Sequence, residues 1–521
     1  MINKTQAQAS TPAGFTRRFT PARLALKTAI SLGALTSTSV LVFVIALGAV
    51  SCAWAAQEVG PVSTVQAAEA APHLSAAVLT PVEVPGTKPM TAAAVDLAAA
   101  GYTEHEFYAN GLAQRYRGAL PGAQATAQVL DGGWPYRTRV LVRTPKAAKF
   151  NGTLVVEWAN VTAGQDVDFA FAESYAHLLR EGYAVAVVSA QRLGVDRLKT
   201  WSPQRYGDLN VTADSTDPKT GEKIDACPPG TACPGDPLSW DIMTQVSKAL
   251  KDNNAPTPPL PGLKVRKVIA LGESQSAMRL SLYYNAIQPL YRVFDGFVFL
   301  DLAQQMRADV PTPAISVNSE VLAGYLPPPT TSQYTRVWEV AGASHTSFYA
   351  VNYVDTMLLR DKSVVGPNGP MTFTQMMAAQ GCKLNPLFSK VDTGLVLNAA
   401  IAGVRQWAET GKPAAPTRQF QRDAKNVVMR DAKGQVLGGV RLAQFAVPTA
   451  DMAPNGDALG CLLAGHHRDF TAEELQQRYG STQAYVKQVR GVMQQAHKQG
   501  YVLADDARAA AKAAERVRVA R

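Results

Sequence analysis

The amino-acid sequence predicts an α/β fold with a mostly parallel, doubly wound sheet. Short apolar runs that suit buried strands alternate with stretches of helical periodicity over much of residues 137–342. These runs lack the polar alternation of a half-exposed sheet, so helices should cover both faces. The segment Gly-Glu-Ser-Gln-Ser at 272–276 joins one such strand to the next helix, at the edge where sheets of this class bind their ligands.

The first 55 residues predict a secretory signal peptide. They contain five Lys or Arg and no acidic residue, and an apolar stretch over 30–50 precedes a small-x-small site at Ala53 and Ala55. We therefore expect a mature chain that begins at Ala56 and is exported to the periplasm or the extracellular space, without stable membrane insertion. An uncleaved anchor and a lipoprotein attached at Cys52 are the alternatives.

The remainder predicts one large decorated domain. Residues 56–91 are rich in Ala, Val and Pro and predict an extended lead-in, followed by the domain proper at 92–521. Two long irregular insertions, at about 191–261 and 346–386, interrupt the strand-helix alternation, and insertions of this length usually have a functional role, for example as a lid. A largely helical C-terminal extension is expected at about 412–521.

Each element follows from its hydrophobic period and its end signals. Strands are predicted at 137–143, 153–158, 184–189, 267–271, 295–300, 314–319 and 335–342. Helices are predicted at 169–181, 238–251, 275–286, 395–410, 471–479, 483–499 and 504–518, with a hairpin across 427–442.

The formal net charge of +10 does not indicate a nucleic-acid partner. Half of that excess lies in the leader, and the remaining bases are interspersed with acids. The four cysteines outside the leader predict two disulfides, Cys227 with Cys233 and Cys382 with Cys461, among three possible pairings. No metal site is expected, because no His or Cys cluster has ligand spacing.

Ser274 is the candidate nucleophile. A strand that runs into a tight turn at a serine and then into a helix is the pattern of a nucleophile elbow, although its last position is more commonly Gly than Ser276. The alternative is a serine that only caps the following helix.

A serine hydroxyl needs an imidazole to take its proton and a carboxylate to orient that imidazole. Of the seven histidines, His345 follows the last predicted strand of the sheet, where the order serine, acid, histidine places the base. The adjacent His466 and His467 are the alternative. For the acid we favour Glu320, directly after the strand at 314–319, with Asp301 as the competitor.

Two further groups complete the predicted site. An oxyanion needs two convergent donors, and we expect the backbone N–H of Gln275 together with that of Asn160 or Val161, in the loop after the strand at 153–158. Glu273 is expected to leave the turn in a different direction from Ser274 and to be a buried partner of a nearby polar group.

With these residues in view, the sequence resembles the bacterial "alpha/beta hydrolase domain" family of the α/β-hydrolase superfamily. The resemblance covers nearly all of the chain after the leader and is carried by Gly101–Phe107, Phe150–Trp158 with Asn160 and Val161, Val188–Gln191, Arg205–Gly207, Gly272–Ser276, Asp295–Gly296, Gly438–Leu442 and Phe470–Tyr479. It implies an esterase-like α/β-hydrolase fold with Ser274 as nucleophile and His345 as base. Members often carry an acidic residue shortly after a Ser-Glu pair, where this chain has Glu320 as the sole local carboxylate.

These residues predict a secreted serine hydrolase that cleaves a small-molecule carboxylic ester through an acyl-enzyme, without a cofactor. An acyltransferase with the same triad and a non-catalytic binding protein on this scaffold are the alternatives. The identity of the ester depends on how the insertions at 191–261 and 346–386 close over the site.

Overall fold

The computed structural model describes residues 74–117, 125–213, 236–252, 258–301, 303–324, 332–456 and 459–519. The predicted leader with Cys52, the first half of the predicted lead-in, and the cysteine pair Cys227 and Cys233 lie outside the described residues. Within the part that is described, no helix has the length and apolar character needed to cross a membrane.

The bounds of the elements are as follows. The strands are β1 (Val78–Pro81), β2 (Tyr102–Arg117), β3 (Gln128–Pro145), β4 (Thr153–Trp158), β5 (Ala184–Val188), β6 (Lys267–Glu273), β7 (Gly296–Leu300), β8 (Ala314–Ser319), β9 (Thr335–Val340), β10 (Val365–Gly366), β11 (Gly369–Pro370), β12 (Ala450–Ala453) and β13 (His466–Asp469). The helices are α1 (Phe169–Arg180), α2 (Arg192–Trp201), α3 (Pro203–Tyr206), α4 (Ser239–Lys251), α5 (Gln275–Leu282), α6 (Gln288–Tyr291), α7 (Glu320–Ala323), α8 (Phe348–Asp361), α9 (Phe373–Ala379), α10 (Thr393–Thr410), α11 (Ala443–Ala446), α12 (Leu459–Ala464), α13 (Ala472–Tyr479), α14 (Thr482–Lys498) and α15 (Ala504–Ala514).

A nine-stranded sheet organises the fold, in the order β1-β2-β3-β5-β4-β6-β7-β8-β9. β1, β2 and β3 pair antiparallel, and β3 pairs antiparallel with β5. From β5 to β9 every neighbour pairs parallel, which confirms the predicted mostly parallel sheet. The long β2–β3 ribbon was not predicted beyond residues 137–143, because most of it is half-exposed and lacks a continuous apolar run.

Helices cover both faces of the sheet, as the apolar strands predicted. Along β6, Ile269 and Leu271 belong to the core cluster that also contains side chains of α1, α8 and α10. Val268 and Ala270 point the other way, into the cluster formed with α4 and α5. The alternation follows from the two-residue period of a strand, and it leaves the carboxyl ends of the strands as the edge where polar side chains collect.

The two predicted insertions contain more regular structure than expected. The first includes α2 in addition to the predicted helix α4, and the second includes α8, a helix of 14 residues. Ser347 caps the N-terminus of α8: its hydroxyl accepts a hydrogen bond from the N–H of Ala350 at 3.2 Å. The predicted role of these segments as a lid stays a prediction.

The C-terminal extension adds to the edge of the sheet beside β9. Trp338 and Val340 form parallel bridges with Arg418 and Val440, and the chain between those two residues folds back in short antiparallel bridges rather than in one regular hairpin across 427–442. The helix predicted at 471–479 corresponds to α13, which begins with a capping box of Thr471 and Glu474. The predicted helices at 483–499 and 504–518 correspond to α14 and α15.

The disulfide between Cys382 and Cys461 confirms one of the two predicted pairs. It joins the segment after α9 to α12 and closes a sequence separation of 79 residues. A cross-link of this span restricts the unfolded chain strongly.

Removing this disulfide should therefore destabilise the protein. We expect Cys382→Ala with Cys461→Ala to lower the free energy of unfolding by about 3–5 kcal/mol. The measurement is guanidinium unfolding in a Cys227→Ala, Cys233→Ala background, with the same background under reducing conditions as the matched control. A loss below about 1 kcal/mol would contradict the expectation.

Candidate active site

Ser274 lies on a strained turn between β6 and α5. Its backbone has φ 55° and ψ −121°, a conformation that residues with a side chain rarely adopt. The turn also favours Gly272, because a Cβ there would lie 3.1 Å from the N of Ala277 and from the carbonyl of Ser276, closer than most Cβ contacts. This geometry is that of the elbow expected from the sequence.

Ser276 explains why the last position of the elbow need not be Gly. Its hydroxyl accepts a hydrogen bond from the N–H of Glu273 at 3.0 Å and donates one to the carbonyl of Glu273 at 2.8 Å. The side chain is fully buried, and its hydroxyl is a hydrogen-bond partner for two backbone groups of the tight turn.

Three side chains from three strand ends meet at the carboxyl edge of the sheet. His345, in the loop after β9, has its Nε2 2.8 Å from the Oγ of Ser274. Its Nδ1 lies 2.7 Å from the Oδ2 of Asp301, which directly follows β7. All three residues are buried. The arrangement places an alcohol, an imidazole and a carboxylate in one chain of hydrogen bonds.

Glu320, our favoured acid, does not reach His345. One of its carboxylate oxygens accepts from the N–H of Gly342 at 2.7 Å, and the other accepts from Arg430 at 2.7 Å. Its own N–H donates to the carbonyl of Ala343 at 3.1 Å. Glu320 thus stabilises the loop after β9, which carries His345, through hydrogen bonds to the backbone of Gly342 and Ala343. The sequence-based preference is corrected to its competitor, Asp301.

A hydrogen bond from the neighbouring strand β8 fixes the position of Asp301. Its backbone φ is 58°, and its Oδ1 accepts from the N–H of Ser319, the last residue of β8, at 2.5 Å. One carboxylate oxygen is therefore used for anchoring and the other faces the imidazole. Chain order could not reveal this, because Asp301 and Glu320 both follow strands that end at the same edge.

Glu273 is buried and has polar partners, as the sequence predicted, but one of the groups it approaches is the imidazole of His345. Its Oε1 lies 3.2 Å from the Nε2 of His345, and its Oε2 accepts from the Nδ2 of Asn160 at 2.9 Å. The carboxyl group is thus part of the site and does not point away from it. The available signal was an acidic residue directly beside the serine, at the end of a strand that is otherwise apolar after Lys267.

The loop after β4 is joined to the elbow through Asn160. The side-chain amide of Asn160 also donates to the carbonyl of Glu273 at 2.8 Å. Its backbone N–H donates to the carbonyl of Val167 at 2.9 Å, so the predicted use of that N–H in an oxyanion hole is corrected. Among the described residues, the N–H groups of Val161 and Gln275 have no acceptor.

A sequence model of one protein family, described as an alpha/beta hydrolase domain, matches residues 72–512 of the 521-residue chain. The chain belongs to this alpha/beta hydrolase domain family. No match was found among curated proteins.

Solved structures similar to this alpha/beta hydrolase include esterase Est22, with 10% sequence identity over 43% of this chain and 66% of that chain, at a TM-score of 0.24. A proposed acetyl xylan esterase from Bacteroides fragilis has 11% identity over 47% of this chain and 63% of that chain, at a TM-score of 0.25. A proposed dienelactone hydrolase from Klebsiella pneumoniae has 11% identity over 41% and 72%, at a TM-score of 0.20. The chain spans slightly under two thirds of the first two proteins, and the family assignment rests on the sequence match alone.

The histidine of this alpha/beta hydrolase lies among carboxyl groups. Burial alone lowers the pKa of His345, but Glu273, Asp301 and Glu173 more than offset this effect and raise it to about 9. Burial raises the pKa of Glu273 to about 8 and that of Glu173, on α1, to about 7. Glu173 accepts from the N–H and the hydroxyl of Ser347, two residues after the histidine.

The alternative histidines have other partners in this alpha/beta hydrolase. His467, on β13, has its Nδ1 2.8 Å from the carbonyl of Phe388. Neither His466 nor His467 contacts Ser274 in the part of the chain that the structure describes. The same part holds no group of three or more His, Cys, Asp or Glu arranged to bind a metal ion.

Proposed function

We propose that this protein is a serine hydrolase that cleaves small carboxylic esters through an acyl-enzyme. The proposal is carried by one observation, the continuous contact from the hydroxyl of Ser274 through His345 to Asp301 at 2.8 and 2.7 Å. Such contacts activate an alcohol that is a poor nucleophile at neutral pH.

In the proposed reaction, the Oγ of Ser274 attacks the ester carbonyl while the Nε2 of His345 takes its proton. Asp301 accepts the N–H of Nδ1, which keeps the imidazole in the tautomer whose Nε2 can accept, and stabilises the imidazolium that forms. The tetrahedral oxyanion receives hydrogen bonds from the N–H groups of Gln275 and Val161. The imidazolium then protonates the departing alcohol and leaves an acyl ester on Ser274.

Water completes the cycle. His345 takes a proton from a water molecule, which attacks the acyl-enzyme carbonyl, and the same proton returns to the Oγ of Ser274 as the carboxylic acid leaves. Each bond broken is matched by one formed, and the reaction needs no cofactor.

The site of action that fits this chain best is outside the cytoplasm. The basic and apolar leader at 1–55 has the composition of an export signal, and the disulfide between Cys382 and Cys461 suits an oxidising compartment. We infer a periplasmic or extracellular enzyme that acts on a small-molecule substrate.

An acyltransferase is the second candidate. Ser274 and His345 are only 6% and 8% exposed, and a site that limits access by water could pass the acyl group to another alcohol or amine. Adding an alcohol acceptor to the ester assay separates the two, since a transferase forms the new ester in preference to the free acid.

Labelling with a fluorophosphonate tests the proposed chemistry without knowledge of the substrate. We expect modification at Ser274, found by peptide mass spectrometry, and loss of labelling in His345→Ala, because the probe reacts with an activated hydroxyl. The matched control is His497→Ala, which changes a histidine on α14. Folded protein that is not labelled, or is labelled at another serine, would contradict the proposal.

A further inference from the structure

The reacting nitrogen of His345 faces two groups rather than one. Its Nε2 is 2.8 Å from the Oγ of Ser274 and 3.2 Å from the Oε1 of Glu273. In the proposed hydrolase this nitrogen must be an acceptor when the serine attacks. Any proton held between the nitrogen and Glu273 removes that acceptor.

We propose that Glu273 is a positioning residue that holds a proton against the Nε2 of His345, so that the enzyme becomes active only when this shared proton is lost at alkaline pH. The inference rests on the proposed function of Ser274 and His345. It adds a carboxyl partner on the reacting side of the imidazole, opposite the orienting carboxylate of Asp301.

Hydrogen bonds to its side chain and its backbone hold Glu273 in position. Its Oε2 accepts from the Nδ2 of Asn160 at 2.9 Å, and the same amide nitrogen donates to the Glu273 carbonyl at 2.8 Å. The hydroxyl of Ser276 accepts a hydrogen bond from the backbone N–H of Glu273 and donates one to its carbonyl. The side chain is 5% exposed, so it cannot turn to solvent and leave the imidazole.

The charges that face this pair are all of one sign. Within the described residues, Asp301 faces it from the end of β7 and Glu173 from α1, while the neutral Asn160 faces it from the loop after β4. The mutual repulsion of these carboxylates, added to burial, favours retention of a proton. The raised pKa of Glu273, about 8, and that of His345, about 9, agree with this geometry.

The proposed hydrolase should become more active as the pH rises. While Glu273 and His345 share a proton, Nε2 cannot accept the hydrogen of Ser274, and the hydrolase is inactive. As the pH rises the proton is lost, and kcat/KM rises with it. An amide at position 273 removes the negative charge that stabilises the imidazolium, so the imidazole becomes neutral at lower pH.

The experiment is the pH profile of kcat/KM for p-nitrophenyl acetate, followed at the pH-independent isosbestic wavelength. We expect the rising limb of Glu273→Gln to lie about 1–3 pH units below that of the unmodified protein. Glu273→Ala, which lacks the amide, should shift in the same direction. Glu181→Gln, which changes a glutamate at the end of α1 that bonds Arg180, is the matched control and should leave the limb in place.

The experiment distinguishes failure of the proposed role of Glu273 from failure of the proposed hydrolase function. A limb that stays in place in both Glu273 variants, while turnover still requires Ser274, overturns the role of Glu273 and leaves the hydrolase intact. Absence of ester turnover in every protein counts against the proposed function. In that case, the pKa of His345 measured by ¹⁵N NMR still decides the inference, because an unchanged pKa in Glu273→Gln contradicts it.

Discussion

Replacing Ser274 with alanine is expected to lower kcat for ester hydrolysis by about ten thousand- to a million-fold. The acyl-enzyme cannot form without the hydroxyl, and the remaining rate reflects oxyanion stabilisation and substrate binding alone. KM should change little, because binding of the ester does not require the covalent bond.

Two measurements keep this result interpretable. The thermal unfolding temperature of Ser274→Ala should match that of the unmodified protein, since the change removes one hydroxyl group. Ser281→Ala, a change in the same helix α5 away from the turn, should retain full turnover. Ester hydrolysis that persists at more than a tenth of the original rate in pure Ser274→Ala would assign the activity to another nucleophile.

Asp301→Asn is expected to lower kcat by about a thousand- to ten thousand-fold. The asparagine side chain preserves the shape of the aspartate but can donate to Nδ1, which favours the tautomer whose Nε2 carries the hydrogen. That tautomer cannot accept the proton of Ser274. The imidazolium of the transition state would also lose the carboxylate that stabilises it.

Glu320→Gln is the matched comparison for this acid. Its amide oxygen can still accept from the N–H of Gly342, and the contact it loses is to Arg430, whose side chain is 47% exposed. Ion pairs with exposed partners contribute about 0–1 kcal/mol, so we expect a loss of activity of less than about tenfold. A larger loss in Glu320→Gln than in Asp301→Asn would restore the assignment made from the sequence.

The errors in the site predicted from the sequence all concern the direction in which a carboxyl side chain points. Ser274 and His345 were identified correctly as neighbours, because a tight turn and a position after the last strand are recognisable along the chain. Asp301 and Glu320 both follow strands of the same sheet, and only the packed structure shows that the shorter side chain faces the imidazole. Glu273 was excluded as the acid, because its side chain was expected to leave the elbow in a different direction from that of Ser274.

The same division holds for the fold. The parallel sheet, the helices on both of its faces and the disulfide between Cys382 and Cys461 were predictable, since hydrophobic period and cysteine count can be read directly along the chain. The β2–β3 ribbon and α8 were missed, because half-exposed strands and a helix within a long irregular segment carry weaker patterns.

Local patterns in this chain were therefore sufficient for the layered architecture, the elbow and the candidate pair of Ser274 with His345. Folding was needed to select among the carboxyl groups, since Asp301, Glu273 and Glu320 all lie at one edge of the sheet and differ in where their side chains point. Those directions depend on contacts between residues far apart in sequence, such as Asn160 with Glu273 and Arg430 with Glu320. Such contacts form only when the strands are assembled, and they place Asp301 and Glu273, rather than Glu320, beside the imidazole of His345.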